Sequence, residues 1–269
     1  MTKPAKTEVQ IISLALILAL VTLAVFWGSS RMKAPQTRFN QSSLTSPENI
    51  AASNIPANPV INEPSKIAPL GLANLLEPTT VSALILGGSI AESSGATDQD
   101  LASWPTLVSH DLVGKYLGNI QWLLKTSSTA SINDVLKLVP AATPDTGLII
   151  VCLGRDDSGK LRRTEFKTNY EQLIVELKAQ SPQADIFLVI EPPVKDLVAN
   201  NEFALYRQII LDLGQKHQLQ VIDQWTSFIN DPAPLASLLA DGVNPNDLGY
   251  RVFADTVLKS FNDFLALKT

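Results

Sequence analysis

The sequence VSALILGGSI, residues 81–90, decides the fold of this chain. Its apolar run, Val81–Leu86, is shorter than a typical helix and ends in Gly87-Gly88, which predicts a buried β-strand followed by a tight turn. In a parallel sheet, ligand sites form just beyond the carboxyl ends of the strands. We therefore expect Ser89, directly after this turn, to lie at a functional edge of the sheet.

The same arrangement recurs along the chain, with short apolar runs separated by segments of helical periodicity. The predicted strands are Val81–Leu86, Ile120–Leu124, Leu148–Leu153, Asp185–Ile190 and Leu219–Ile222. The predicted helical segments are Asp98–Leu117, Ile132–Leu138, Tyr170–Gln180, Glu202–Lys216 and Asp247–Leu265. Strands that alternate with helices form a parallel sheet covered on both faces. The sequence therefore predicts an α/β domain over residues 81–269, with a flavodoxin-like, doubly wound, five-stranded parallel sheet.

A different organisation is expected before residue 81. Residues 1–8 form a short tail, and Val9–Trp27 is an apolar run without charge. A helix of about 19 residues spans about 29 Å, which matches the apolar thickness of a bilayer. We predict a transmembrane helix that acts as an uncleaved signal anchor. A cleaved signal peptide, with small residues such as Gly28 near the cut, is the alternative.

Residues 28–80 are rich in Pro, Asn, Ser, Ala and Thr and lack clear periodicity, which predicts a flexible stalk. Within it, Leu70–Leu76 is expected to form a short element against the domain. Positive charges lie on both sides of the apolar run, so charge bias does not decide the topology. We place the C-terminal domain outside the cytoplasm because a short tail, one anchor and a stalk form a common layout of surface proteins.

Composition narrows the possible functions. The net charge is −5 and no stripe of basic residues is present, which argues against nucleic acid as a partner. The single cysteine, Cys152, excludes an internal disulfide and is expected to be a buried strand residue. Two separated histidines do not make a His-rich metal site. We expect no metal and no cofactor.

Two further segments follow predicted strands at the same edge as Ser89. Gly154-Arg155-Asp156-Asp157 follows the third strand, and Asp241-Gly242-Val243-Asn244-Pro245-Asn246-Asp247-Leu248-Gly249-Tyr250 follows the fifth. The order and spacing of these segments resemble the SGNH (GDSL-type) hydrolases. That family carries a Gly-Asp-Ser turn, a Gly-x-Asn-Asp turn and an Asp-x-x-His-Pro-Asn-x-x-Gly-Tyr segment.

The resemblance implies a role for each matching position. In the family a serine attacks an ester carbonyl, a histidine takes its proton, and an aspartate orients the imidazole. Ser89 matches the nucleophile, which also gives an oxyanion-hole N–H, and Asp241 matches the orienting acid. Asn244 stands at the base position, Asp156 replaces the oxyanion-hole Asn, and Thr129 falls near the oxyanion-hole Gly.

These departures predict weak or absent esterase activity. An amide at Asn244 does not accept a proton near neutral pH, and loss of a general base costs about 10²–10⁴ in rate. A carboxylate at Asp156 opposes the negative charge that develops on the oxyanion. Asn244 before Pro245 also fits a helix N-cap, a structural alternative. Asp157 is expected to bind backbone amides, and Arg155 either pairs with these acids or contacts an anionic ligand.

Three functions remain open at this point. The first is a membrane-anchored, extracytoplasmic protein with impaired or lost esterase activity that binds an ester- or sugar-bearing ligand or a protein partner. The second is an active acyl-ester hydrolase or acyltransferase that uses Ser89 on lipid or envelope polysaccharide. The third is a membrane-tethered scaffold whose former catalytic edge has no chemical role. We favour the first because the proton relay is broken.

Overall fold

The computed structural model describes residues 71–268, which contain a five-stranded parallel sheet. The strand order is β2-β1-β3-β4-β5. The strands are β1 (Thr80–Gly87), β2 (Asn119–Thr126), β3 (Leu148–Cys152), β4 (Asp185–Ile190) and β5 (Gln220–Asp223). All four strand pairs are parallel. The predicted flavodoxin-like order is therefore confirmed, with its topological switch point between β1 and β3.

Helices cover both faces of the sheet. They are α1 (Gln99–Ala102), α2 (Trp104–Leu112), α3 (Ile132–Leu136), α4 (Arg163–Gln180), α5 (Leu197–His217), α6 (Gln224–Asn230), α7 (Leu235–Leu238) and α8 (Asp247–Ala266). The side chains of β1 alternate between two cores: Ala83 and Ile85 pack with α2 and α8, whereas Leu84 and Leu86 pack with α3, α4 and α5. Because both faces are buried there, the strand is apolar from Ala83 to Leu86.

Three helices differ from the predicted boundaries. The segment predicted as one helix over Asp98–Leu117 divides into α1 and α2 at Ser103, whose extended backbone precedes Pro105 in the first turn of α2. A proline at that position suits a helix start because its missing N–H has no intrahelical acceptor there. Helices α4 and α5 begin several residues earlier than predicted, in first turns whose first three side chains are exposed and give no buried apolar stripe.

The packed domain begins before the predicted boundary at residue 81. A short 3₁₀ helix, Leu72–Leu76, precedes β1, and its Leu72 and Leu75 side chains are fully buried in the core. This is the short element that the sequence predicted over Leu70–Leu76. The Leu72 N–H donates to Asp185 at 2.8 Å, and Lys268 lies 3.6 Å from the same carboxylate. Both ends of the described chain therefore meet the amino edge of the sheet.

The predicted tail, transmembrane helix at 9–27 and most of the stalk lie outside the described residues. Within residues 71–268, no helix combines the length and apolar character that crossing a membrane requires.

Candidate active site

Ser89 lies at the switch point of the sheet, in the turn after β1. The turn depends on glycine: a Cβ at Gly87 would lie 2.0 Å from the carbonyl oxygen of Cys152, at the end of β3. The Gly88 N–H donates to the same Cys152 carbonyl at 3.3 Å, so the turn is held against the neighbouring strand. Ser89 itself is 8% exposed. Ser89 therefore lies at the edge of the sheet formed by the carboxyl ends of the strands, as the sequence predicted.

The Ser89 hydroxyl has no hydrogen-bond partner among residues 71–268, and neither histidine bonds it. His110 lies on the surface of α2 beside Asp111, with 3.2 Å between Nδ1 and a carboxylate oxygen. His217 lies at the end of α5, with its Nε2 2.9 Å from Glu171 Oε1. Each imidazole is therefore engaged elsewhere, and no side chain of the described chain withdraws a proton from Ser89 directly.

Asp241 and Asn244 form a closed hydrogen-bonded loop after α7. One Asp241 oxygen accepts from the N–H groups of Val243 at 2.8 Å and Asn244 at 2.7 Å. The other accepts from the Asn244 side-chain NH₂ at 2.9 Å. The hydrogen bonds from Asn244, foremost that of its backbone N–H, hold the pKa of Asp241 below its usual value. The Asn244 amide thus donates to Asp241 as an imidazole N–H would.

The other end of the Asn244 amide is an acceptor without a partner. Its Oδ1 is buried and makes no hydrogen bond within the described part of the chain. The alternative that Asn244 caps a helix is wrong, because the N-cap of α8 is Asn246, whose side chain accepts from the Gly249 N–H at 3.0 Å. Asn244 is therefore available to the site rather than used by the helix.

The loop after β3 carries two acids, of which Asp156 lies beside the turn that carries Ser89 and Asp157 contacts the loop after β2. A Cβ on Gly88 would lie 2.9 Å from an Asp156 carboxyl oxygen, so the Asp156 side chain is next to the serine turn. Both oxygens of Asp157 accept from the Ile132 N–H, at 3.0 and 3.1 Å. This confirms that Asp157 binds a backbone amide, and it ties the loop after β2 to the loop after β3.

Asp157 is a buried acid in the middle of this edge. It is 1% exposed, and burial raises its pKa to about 7, with repulsion from Glu191 and Asp156 acting in the same direction. Its hydrogen bond from Ile132 opposes the rise. Asp157 therefore titrates near neutral pH, unlike an ordinary aspartate.

Thr129 is exposed in the loop after β2, and its backbone N–H has no acceptor within residues 71–268. The loop is fixed at both ends: Ser127 N–H donates to the Gly87 carbonyl at 3.2 Å, and Ile132 N–H to Asp157. The proposed oxyanion-hole role of Thr129 stays a prediction.

Glu191 is a residue that sequence reasoning missed. It follows β4, is 1% exposed, and accepts from the Arg155 N–H at 2.7 Å. Burial raises its pKa, which the positive charge of Arg155 partly offsets. An acid directly after a buried strand and before Pro192-Pro193 was the signal that could have identified it.

Within the described residues, Arg155 does not form the ion pair with Asp156 or Asp157 that was one of its two expected contacts, and its contact with an anionic ligand stays a prediction. Its Nη1 donates to the Val243 carbonyl at 3.1 Å. Arg155 thus joins the loop after β3 to the Asp241–Asn244 loop. No group of three His, Cys, Asp or Glu side chains in residues 71–268 has an arrangement that could hold a metal ion.

Comparison with known proteins agrees with this geometry. The model of the GDSL-like lipase/acylhydrolase family matches residues 85–252, more than half of the chain. This chain belongs to that family. The match runs from the middle of β1 into α8, so it includes Ser89, Asp156 and Asp241. No curated protein matches the sequence.

Solved structures of GDSL-type enzymes share the fold of this GDSL-like domain. A lipase/acylhydrolase from Enterococcus faecalis is 18% identical, with a TM-score of 0.56 over 68% of this chain and 96% of its own. A psychrotrophic esterase from Pseudoalteromonas sp. is 17% identical, with a TM-score of 0.57 over 69% and 98%. An acetylxylan esterase from Geobacillus stearothermophilus is 16% identical, with a TM-score of 0.56 over 67% and 94%. At these identities the likeness establishes the fold alone.

In this GDSL-like domain, hydrogen bonds connect the start of α8 to the segment that follows Ser89. The Tyr250 hydroxyl, on α8, donates to the Ser94 carbonyl at 2.7 Å. The Asp247 carboxylate accepts from the N–H and hydroxyl of Thr97 at 2.8 and 2.5 Å. These bonds hold the segment that carries Asp241 and Asn244 against the segment that carries Ser89.

Proposed function

We propose that this GDSL-like domain binds an ester- or sugar-bearing ligand, or a protein partner, at the edge around Ser89, with impaired or lost esterase activity. The observation that carries the proposal is the Asn244 amide, which occupies the base position and donates to Asp241. This hydrogen bond reproduces the contact between the histidine and the aspartate of the family's Ser-His-Asp triad. The amide does not supply the basic nitrogen that accepts the serine proton.

The missing acceptor limits the attack of Ser89. A serine hydroxyl is a weak nucleophile until a base removes its proton in the transition state. The Asn244 Oδ1 can accept a hydrogen bond, but an amide oxygen is far too weak a base to take that proton near neutral pH. Loss of the general base alone should cost about 10²–10⁴ in rate.

Asp156 adds a second obstacle. Its carboxyl group lies beside Gly88, the residue before the nucleophile, where the family has a neutral oxyanion-hole donor. Removing one such donor costs about 3–4 kcal/mol in the transition state, and a carboxylate also repels the developing negative charge. The two substitutions together favour binding over turnover.

We further propose that residues 9–27 anchor the protein in a membrane and that the C-terminal domain is extracytoplasmic. The support is the uncharged apolar run itself. The described chain begins at the amino edge of the sheet, opposite the edge that carries Ser89. Protease treatment of intact cells should remove the domain, and full protection of the chain would contradict this topology.

The test of impaired activity is an ester assay with restored groups. We expect the full-length protein in neutral detergent to show no Ser89-dependent hydrolysis of p-nitrophenyl acetate or butyrate. The double variant Asn244→His, Asp156→Asn should gain activity, because it restores a proton acceptor beside Asp241 and an amide donor beside Gly88. The gain should reach at least about 10²-fold, the lower range for a general base.

Two controls make the result specific. Ser89→Ala should abolish any gain in the double variant, whereas Ser260→Ala should not, since Ser260 lies within α8 and bonds only the Thr256 carbonyl. Turnover by the unmodified protein that Ser89→Ala abolishes would contradict the proposal. That outcome would favour the alternative, an active acyl-ester hydrolase or acyltransferase acting on lipid or envelope polysaccharide.

A further inference from the structure

A cavity opens on the loop that follows Asp156 and Asp157. Its volume is about 440 Å³, and it lies between the loop after β3, the start of α4 and the side of α5. Its lining residues are Gly159, Lys160, Leu161, Arg162, Arg163, Thr164, Glu202 and Tyr206. The loop leaves the carboxyl end of β3, so the cavity opens on the same edge of the sheet as Ser89.

The lining of this cavity is positively charged in an acidic protein. Lys160, Arg162 and Arg163 line it, and Glu202 is the one carboxylate among its lining residues. The chain as a whole has a net charge of −5. No ion pair neutralises these three cations within residues 71–268, and Glu202 does not pair with them there. Three unpaired cations around one concave space attract an anion more strongly than the same charges spread over a surface.

The start of α4 adds hydrogen-bond donors to the same cavity. This helix runs from Arg163 to Gln180, and no side chain caps its N-terminus. The N–H groups of Arg163 and Thr164 accordingly have no acceptor in the described part of the chain. Free N–H groups and the positive end of the helix dipole stabilise an anion at this position.

The cavity wall is held by bonds that do not involve the cationic side chains. The N–H groups of Lys160 and Leu161 donate to the Asp157 carbonyl at 3.0 and 2.9 Å. The Tyr206 hydroxyl donates to the Leu161 carbonyl. Gly159 has a φ of +75°, and a Cβ there would lie 2.9 Å from Glu202. The wall is therefore formed before any ligand arrives, which reduces the entropic cost of binding.

We propose that this cavity binds an anionic group, a carboxylate or a phosphate, carried by the ligand that occupies the edge around Ser89. The inference rests on the proposed ligand-binding role for the identity of the larger ligand, whereas the binding of a simple anion stands on the cavity alone. Arg162 and Arg163 supply planar donors that match both groups, and Lys160 supplies a point charge. Together with the proposed sugar-bearing ligand, this makes an acidic glycan the expected ligand class.

Calorimetric titration of the full-length protein in neutral detergent tests this proposal. Three probes are used: inorganic phosphate, trigalacturonate, and the fully methyl-esterified trigalacturonate, which keeps the sugars and loses the charges. We expect phosphate and trigalacturonate to bind, with trigalacturonate at least tenfold tighter than its methyl ester. Affinity for both anions should fall as salt rises from 50 to 200 mM, because screening weakens exposed charges.

A charge-matched pair of variants isolates the cavity. Arg162→Gln, Arg163→Gln should weaken the binding of both anions at least tenfold and leave the methyl ester unaffected. Lys115→Gln, Lys125→Gln removes the same charge from exposed positions outside the cavity and should change none of the three affinities. Circular dichroism melts of both variants confirm that the fold is kept.

The outcomes separate this inference from the proposed function. Equal anion binding by the wild type and the Arg162/Arg163 variant, or absence of phosphate binding, overturns the cavity as an anion site. Binding of the methyl ester without a gain from charge also overturns it, yet leaves ligand binding at the Ser89 edge intact. Ser89-dependent turnover contradicts the impaired-activity proposal and does not alter the result of the titrations.

Discussion

Replacing Asp157 with asparagine should make the stability of this domain less dependent on pH. Asp157 is 1% exposed, and its carboxyl oxygens accept the Ile132 N–H at 3.0 and 3.1 Å. An asparagine keeps an oxygen for that bond and carries no charge at any pH. The substitution thus removes the titration of the group while preserving its contact.

The direction of the change in stability with pH follows from the raised pKa of Asp157. In the folded state the pKa of Asp157 is about 7, against 3.8 for an aspartate in water, because burial and the neighbouring acids disfavour its charge. The folded state therefore binds the proton more tightly than the unfolded state does. The contribution of this group to stability is complete below about pH 4 and is lost as the pH rises through about 7.

The magnitude follows from the same two values. One pKa unit corresponds to about 1.4 kcal/mol, so the full difference sets a ceiling of about 4 kcal/mol. An assay between pH 5 and pH 8 samples only the two pH units from pH 5 to the pKa of about 7, which is about 2.7 kcal/mol of that ceiling. We expect the free energy of unfolding of the wild type to fall by about 2–3 kcal/mol more than that of Asp157→Asn between pH 5 and pH 8.

Urea denaturation of the full-length protein in neutral detergent, followed by tryptophan fluorescence at pH 5, 6, 7 and 8, measures this difference. Asp145→Asn is the control, because Asp145 is an exposed aspartate in the turn before β3 and should follow the wild type. Parallel pH profiles for wild type and Asp157→Asn would refute the reasoning and place the proton elsewhere among the buried acids.

Three further substitutions test the packing and the relay. Gly87→Ala should lower the free energy of unfolding by about 3 kcal/mol or more, since its Cβ would lie 2.0 Å from the Cys152 carbonyl oxygen; a melting temperature equal to that of wild type would contradict this. Tyr250→Phe removes the hydrogen bond to the Ser94 carbonyl and should cost about 1 kcal/mol in urea denaturation. In the Asn244→His, Asp156→Asn protein, Asp241→Asn should remove most of the gained esterase activity, by about 10²–10⁴-fold; unchanged kcat/KM would show that Asp241 does not orient the new imidazole.

The strands and helices of this fold and their order could be predicted from the pattern of apolar residues. Each predicted strand overlaps an observed one, because an apolar run of four to six residues bounded by glycine or polar residues is too short for a typical helix and long enough for a strand. The spacing of Ser89, Gly154 and Asp241 relative to those strands placed them at one edge, since parallel strands end on the same side of the sheet. The family resemblance then followed from the residues at that edge.

Tertiary structure alone decided what the side chains at that edge do. The sequence is equally consistent with Asn244 as a helix cap and as a replacement for the family's base. The structure decides between them, because the Asn246 side chain caps α8 and the Asn244 amide donates to Asp241. Glu191 was identified as part of the site only from the hydrogen bond that its carboxylate accepts from the N–H of Arg155, in the loop after the neighbouring strand β3. Hydrogen-bond partners and raised pKa values depend on contacts between loops that follow different strands. Local sequence patterns do not predict the distances between side chains in those loops.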